Sequence, residues 1–140
     1  MTMGTKERFT TRLPGGSANT RVIGCEFGDG KTVLDVSTGT VFGVTPELPW
    51  NFTITKVRII GDNAGGSAVV NVQVATYTNY PTMTNICASA KPTLTAALKN
   101  EDATLTGWTT LLSQGMAVKF ILESTSLHKK VSVELTGTLS

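Results

Sequence analysis

Histidine, cysteine and carboxylate side chains supply most acid–base, nucleophilic and metal chemistry, and this chain holds few of them. Its one histidine, His128, lies in Ser126-Leu127-His128-Lys129-Lys130, between two runs of alternating apolar residues. That place suits an exposed hairpin turn, and no cluster of further ligands surrounds it to hold a metal ion. The carboxylates are scattered, with Glu101 and Asp102 the adjacent pair. Glycoside hydrolysis needs two carboxyl groups opposed across one bond, whereas neighbours on a loop diverge into solvent, so a glycan hydrolase is the remote third reading. The segment Gly24 to Gly30 has glycines but lacks the lysine and the strand-to-helix setting of a phosphate-binding loop. No catalytic residue, metal ligand or cofactor is expected. Cys25 and Cys87 are too few for a disulfide framework and fit no zinc spacing. They read as two small buried thiols, with a bridge open to them only if the strand carrying Cys25 passes beside the segment carrying Cys87.

What remains is the chemistry of binding. Trp50 follows Pro49 at a strand entrance, Trp108 closes a long crossover, and Tyr77 and Tyr80 flank Asn79 just before Pro81. Both tryptophans fit as plugs at the ends of a sandwich, each indole N–H bonded to a loop carbonyl. The other reading makes Trp50, Tyr77, Tyr80 and Trp108 one patch that meets a subunit or a glycan. A second candidate is the N-terminal arm. Lys6, Arg8, Arg12 and Arg21 face only Glu7 before residue 25. With Phe9, these four are the expected contacts to a shell or a neighbouring subunit, because a polar arm cannot bury enough apolar surface to order itself. A solvated tail is the plainer alternative.

These residues need a scaffold, and its pattern is legible. Val70, Val72 and Val74 share one strand face, as do Val118, Phe120 and Leu122, and Val131, Val133 and Leu135. Each run has period two, the mark of a half-buried antiparallel strand. Residues 52–60, FTITKVRII, alternate imperfectly, and a bulge would bring Ile54, Val57 and Ile59 to one face. Glycine-rich turns at 28–30, 61–66 and 113–115 separate the runs. Leu94 to Asn100 holds good helix formers and predicts a short helical turn in the crossover. The fold class is therefore all-β: an antiparallel β-sandwich of jelly-roll type at residues 21–140, preceded by an extended arm at 1–20 with a Pro14-Gly15-Gly16-Ser17 hinge.

Composition bounds the partners. The chain has 140 residues, enough for one domain with a real core, and its net charge of +2 from 12 basic and 10 acidic residues is too balanced to predict a nucleic-acid partner. No apolar run approaches the roughly 18 residues of a membrane span, and Met1 to Arg8 carries no apolar leader segment. A soluble protein made in the cytoplasm, with no membrane partner, is expected.

The order of residues between Asn79 and Thr110 adds a resemblance. Asn79-Tyr80-Pro81 leads to Ser89-Ala90-Lys91-Pro92-Thr93-Leu94, then to Leu105-Thr106-Gly107-Trp108-Thr109-Thr110, then to a strand led by Gly115. Upstream, Trp50 to Thr55 and Gly66 to Val72 fit the same order. Together these resemble a β-sandwich module of tailed-bacteriophage virion proteins, over about Gly39 to Gly137. Relatives of that module carry an acidic residue in the strand after "GS", where this chain has Asn71 and Gln73, and residues 1–38 have no counterpart in it. The resemblance implies a virion structural protein rather than an enzyme, located in the virion after synthesis in a bacterial host. Two roles follow. One is a capsid decoration or cement protein, a homotrimer on the head shell whose arm binds the major capsid protein. The other is a tail-fibre tip or receptor-binding module that meets a host-surface glycan or protein. A fibre needs a stalk, and no heptads or stalk repeats occur here, so decoration is the first expectation.

Overall fold

The computed structural model describes residues 19–139. Lys6, Arg8, Phe9 and Arg12 of the expected arm lie outside these residues, while Arg21 falls inside the first strand. That strand, β1 (Thr20–Phe27), is followed by β2 (Val41–Thr45), β3 (Phe52–Gly61), β4 (Ser67–Ala75), β5 (Thr84–Asn85), β6 (Thr93–Leu94), β7 (Lys99–Asp102), β8 (Leu111–Leu112), β9 (Ala117–Ser126) and β10 (Val131–Leu139). They form two antiparallel sheets. The first has the order β1-β10-β3-β7 with β8 also on β3, and the second the order β2-β9-β4-β5 with β6 also on β4. Thus β1 meets β10, β2 meets β9, β3 meets β7 and β8, and β4 meets β5 and β6, while β10 also lies on β3 and β9 on β4.

The alternating runs position the core. Val70, Val72 and Val74, Val118, Phe120 and Leu122, and Val131, Val133 and Leu135 are all buried, together with Phe27, Phe52 and Leu48. The irregular stretch at 52–60 has its bulge. Between Lys56↔Thr136 and Ile54↔Gly137 the register skips Thr55, and this brings Ile54, Val57 and Ile59 to one buried face. Only glycine fits opposite the bulge, since a Cβ on Gly137 would overlap the Thr53 carbonyl oxygen and the Phe52 ring. A second irregularity, between Val69 and Val70, skips Glu123 on β9. The skipped carboxylate receives Lys91 Nζ at 2.8 Å.

Two expectations are corrected. The described residues contain no helix, and Leu94 to Asn100 is not a helical turn. Its two ends are β6 and β7, and its middle is tied to the sheets: Ala96 N donates to Ser67 Oγ at 3.1 Å and Ala97 N to Gly66 O at 3.1 Å. The segment passes from the edge of the second sheet, where β6 lies on β4, to the edge of the first, where β7 lies on β3. Edge strands with open backbone groups outweigh the weak helix preference of so short a stretch.

His128 is the other correction, for it is 0% exposed. The turn after β9 passes through Leu127 at φ 64°, and His128 N then bonds to Ser126 O. This turns the ring inward beneath the loop at 61–66, where Nδ1 accepts from Asp62 N and Asn63 N, each at 3.2 Å. A Cβ on Gly61 or Gly66 would press into the ring, so both glycines make its room.

Both cysteines are buried thiols outside any disulfide. Cys25 is on β1 at the outer edge of the first sheet, and Cys87 follows β5 at the opposite edge of the second, so no bridge joins them. Burial pushes the Cys87 thiol up to about 11, and a protonated thiol is a poor nucleophile. Native protein at neutral pH is expected to leave both thiols unmodified by a thiol-specific chromogenic reagent, and to release both on unfolding. Prompt reaction of one thiol in the native state would contradict this packing.

Candidate binding surface

Four of the candidate residues, Arg21, Trp50, Tyr77 and Tyr80, lie at one end of the sandwich. β4 stops at Ala75, opposite Ala117 of β9. Leu48 N donates to Met116 O at 2.8 Å, and Gly115 N to Leu48 O at 2.7 Å. The loops at 46–51, 76–83 and 113–116 therefore share this end. So does the start of the described chain, since Thr20 pairs with Thr138 and Leu139 N donates to Asn19 O.

Pro46 and Pro49 restrict the backbone of the 46–51 loop, which bends at both prolines, and buried Leu48 pins it. Trp50 emerges half-buried, with its ring 5.6 Å from Phe52. The Arg21 guanidinium stands 5.8 Å from the Trp50 ring centre, within cation–π range. The tyrosines ride on a compact turn in which Thr76 O accepts from Asn79 N and Tyr80 N, and Thr82 N donates to Asn79 O. That turn leaves Tyr77 79% and Tyr80 38% exposed. The strand order thus places Arg21, from the arm set, over Trp50 and at the same end as Tyr77 and Tyr80.

Trp108 does not join them, which corrects the four-residue patch. It is buried, and its indole N–H donates to Ala90 O at 2.8 Å. The bond to a loop carbonyl is the one expected of a plug. The ring, however, seals the side where β5 and β6 extend one sheet and β7 and β8 the other, rather than an end. Trp108 N donates to Leu105 O, Thr109 N to Ile86 O, and Thr110 O accepts from Ile54 N, so a long connection running along that side needs a large apolar filler.

The adjacent carboxylates diverge. Glu101 accepts from Arg58 Nε at 2.6 Å, which holds its carboxyl below the usual range. Asp102 Oδ1 instead accepts from Thr104 N and Leu105 N. Among the described residues no group of three or more His, Cys, Asp or Glu side chains could hold a metal ion. One cleft has Val57 and Ile59 at its floor and Lys91, Asn100 and Asp102 at its rim. Its rim groups are already bonded within the fold, Lys91 to Glu123 and Asn100 to Thr93 O, so they are poorly placed to orient a small ligand.

Sequence reasoning missed the structural role of His128. The signal was present in Gly61 and Gly66, two glycines bracketing a loop that a buried ring could fill.

Neither a protein-family profile nor a curated protein matches the chain. Among solved structures, the chain is similar to a truncated AlyQ with CBM32 and alginate lyase domains (TM-score 0.45, 10% identity, 86% of this chain and 27% of that one). It is also similar to the CBM32 of AlyQ in complex with 4,5-unsaturated mannuronic acid (TM-score 0.44, 10% identity, 82% of this chain and 76% of that one). A third likeness is to infectious bursal disease virus, Gx strain (TM-score 0.36, 9% identity, 86% of this chain and 37% of that one). The chain spans about a quarter, 27%, of the first of these.

Proposed function

We propose that this protein is a bacteriophage virion structural protein: a capsid decoration or cement protein of jelly-roll type, anchored on the head shell by its N-terminal arm and assembled there as a trimer. The single observation that carries the reading is the convergence at one end. The chain enters β1 where Trp50, Tyr77 and Tyr80 stand, and Arg21 lies over Trp50. The start of β1 and an aromatic surface at the same end suit one anchoring face, and Trp, Tyr and Arg are the residue types that dominate protein contacts. The pairing of β1 with β10, β2 with β9, β3 with β7 and β8, and β4 with β5 and β6 supports the jelly-roll reading. A second reading, a tail-fibre tip or receptor-binding module, draws on the exposure of Tyr77, since a tyrosine so open also suits a host-surface glycan or protein.

Localisation on intact virions separates the two. Gold-labelled antibody with copy counting is expected to find many copies over the head, and a few copies at the tail end would replace decoration with the fibre reading. Deleting residues 1–18, which precede the described domain, is expected to leave a folded protein that no longer occupies particles. Unchanged occupancy by the truncated protein would remove the arm from the mechanism.

A further inference from the structure

On the outer face of the second sheet, one polar atom is both buried and unpaired. Gln73 points outward from β4, and the side-chain amides of Gln73 and Asn71 both donate to Asn85 Oδ1 on β5, each at 2.8 Å. Asn71 therefore shares the outer face with Gln73. Yet it is 4% exposed, and its Oδ1 has no hydrogen-bond partner among the described residues. A buried carbonyl oxygen left unpaired costs stability, and an apolar side chain of the same shape would avoid the loss. A half-satisfied amide in that place points to a donor that comes from outside the fold.

The strand register sets apolar groups beside the amides. Phe42 of β2 lies opposite Ile121 of β9, and Ile121 opposite Asn71. In the next row Val44 lies opposite Lys119, Lys119 opposite Gln73, and Gln73 opposite Asn85. Phe42 is 46% exposed, and Lys119 Nζ stands over its ring, 4.4 Å from the centre. This cation–π contact holds the ring on the face that carries the amides. From Phe42 to Asn71 is two strand spacings, about 10 Å, a span of the order of a disaccharide. No carboxylate stands in either row, and Glu123, further along β9, is paired with Lys91.

We propose that this face binds a neutral carbohydrate, its hydroxyls meeting Asn71, Gln73 and Asn85 and the C–H face of a ring lying on Phe42. The chemistry selects that class. A hydroxyl carries both a donor and an acceptor, as an amide does, whereas an ionised carboxylate or phosphate has no donor for the Asn71 oxygen. Lys119, the one charge in the two rows, is engaged with Phe42. An extended peptide would pair along an open strand edge rather than across the middle of a sheet face. The inference does not rest on the decoration reading, and it places the site on a sheet face rather than in the loops around Trp50.

Titration of the full chain with cellotetraose, maltotetraose and chitotetraose tests it, read by NMR from the side-chain amide signals. Saturable shifts at Asn71, Gln73 and Asn85 with at least one of these sugars are expected, unchanged by added salt. Phe42→Ala and Gln73→Ala alter side chains on the outer face, so both should fold, and each is expected to weaken binding about tenfold or more, the loss of one good contact. Asn71→Leu is the decisive variant. It replaces the unpaired amide with an apolar group of similar shape and should melt at an equal or higher temperature, while binding falls by the same order. Tyr77→Ala, at the Trp50 end, should bind as wild type. Absence of shifts with all the sugars would overturn the proposal, as would undiminished binding by Asn71→Leu or Phe42→Ala. Binding to tetragalacturonate alone, fading with salt, would overturn it too, because that would place the contact on Lys119.

Discussion

Val72→Asp is expected to abolish folding. Val72 is 0% exposed and lies opposite Phe120 in the middle of the second sheet. A carboxylate there loses its hydration with no cation in reach, at a cost of several kcal/mol even after local relaxation. About 1.5–3 kcal/mol of valine burial is lost as well. Domains of this size hold only about 5–15 kcal/mol in total, so the variant should lack a cooperative thermal transition and enter the insoluble fraction. Gln73→Asp is the control. Gln73 is on the outward face of the same strand, where its amide donates to Asn85 Oδ1 at 2.8 Å, and it should lose no more than about 1 kcal/mol. A soluble, cooperatively melting Val72→Asp protein would reverse the assignment of the inner face.

His128→Ala is the second large effect, and it comes from a residue that the sequence places in an exposed turn. Removing the ring empties a fully buried site and strips Asp62 N and Asn63 N of their acceptor. Cavity and orphaned donors together should cost about 3–5 kcal/mol. The glycines provide an internal check. Gly61→Ala alone forces a methyl group into the ring and should cost about 1–3 kcal/mol by overpacking. With His128→Ala in the background that methyl meets vacated space, so the double variant should be more stable than the sum of the single losses by about 1 kcal/mol or more. Denaturant melts of the four proteins complete the cycle. Strict additivity would mean that ring and glycines do not pack as described.

Both predictions draw on the same division between what a chain spells out locally and what its fold assembles. The valines of β4, the alternation of β9 and β10 and the bulge in β3 were legible, because a strand shows its two faces at every second residue and a buried face must be apolar. Trp108 could be read as a filler hydrogen-bonded to a loop carbonyl, since a large ring with one polar atom has few other ways to be buried. The failures have a common cause. Leu94 to Asn100 carries helix formers, but the edges of two sheets compete for its backbone. His128 has polar neighbours in sequence, but the backbone at Leu127 turns it inward, and a left-handed angle at a leucine leaves no mark in composition.

The candidate site divides in the same way. That Trp50, Tyr77 and Tyr80 are aromatic and near turns was visible in the chain. That they share an end with Arg21, while Trp108 is sealed in the side, depends on which strand runs beside which. By itself the sequence determined an all-β chain, its inner faces and the absence of closely spaced catalytic motifs, because these follow from residue type and short-range period. Only the tertiary structure decided which residues meet: Arg21 over Trp50, His128 beneath two glycines, Leu127 at the far end. Those neighbours come from strands distant in the chain, and their register is set by the packing of the whole core rather than by any one segment.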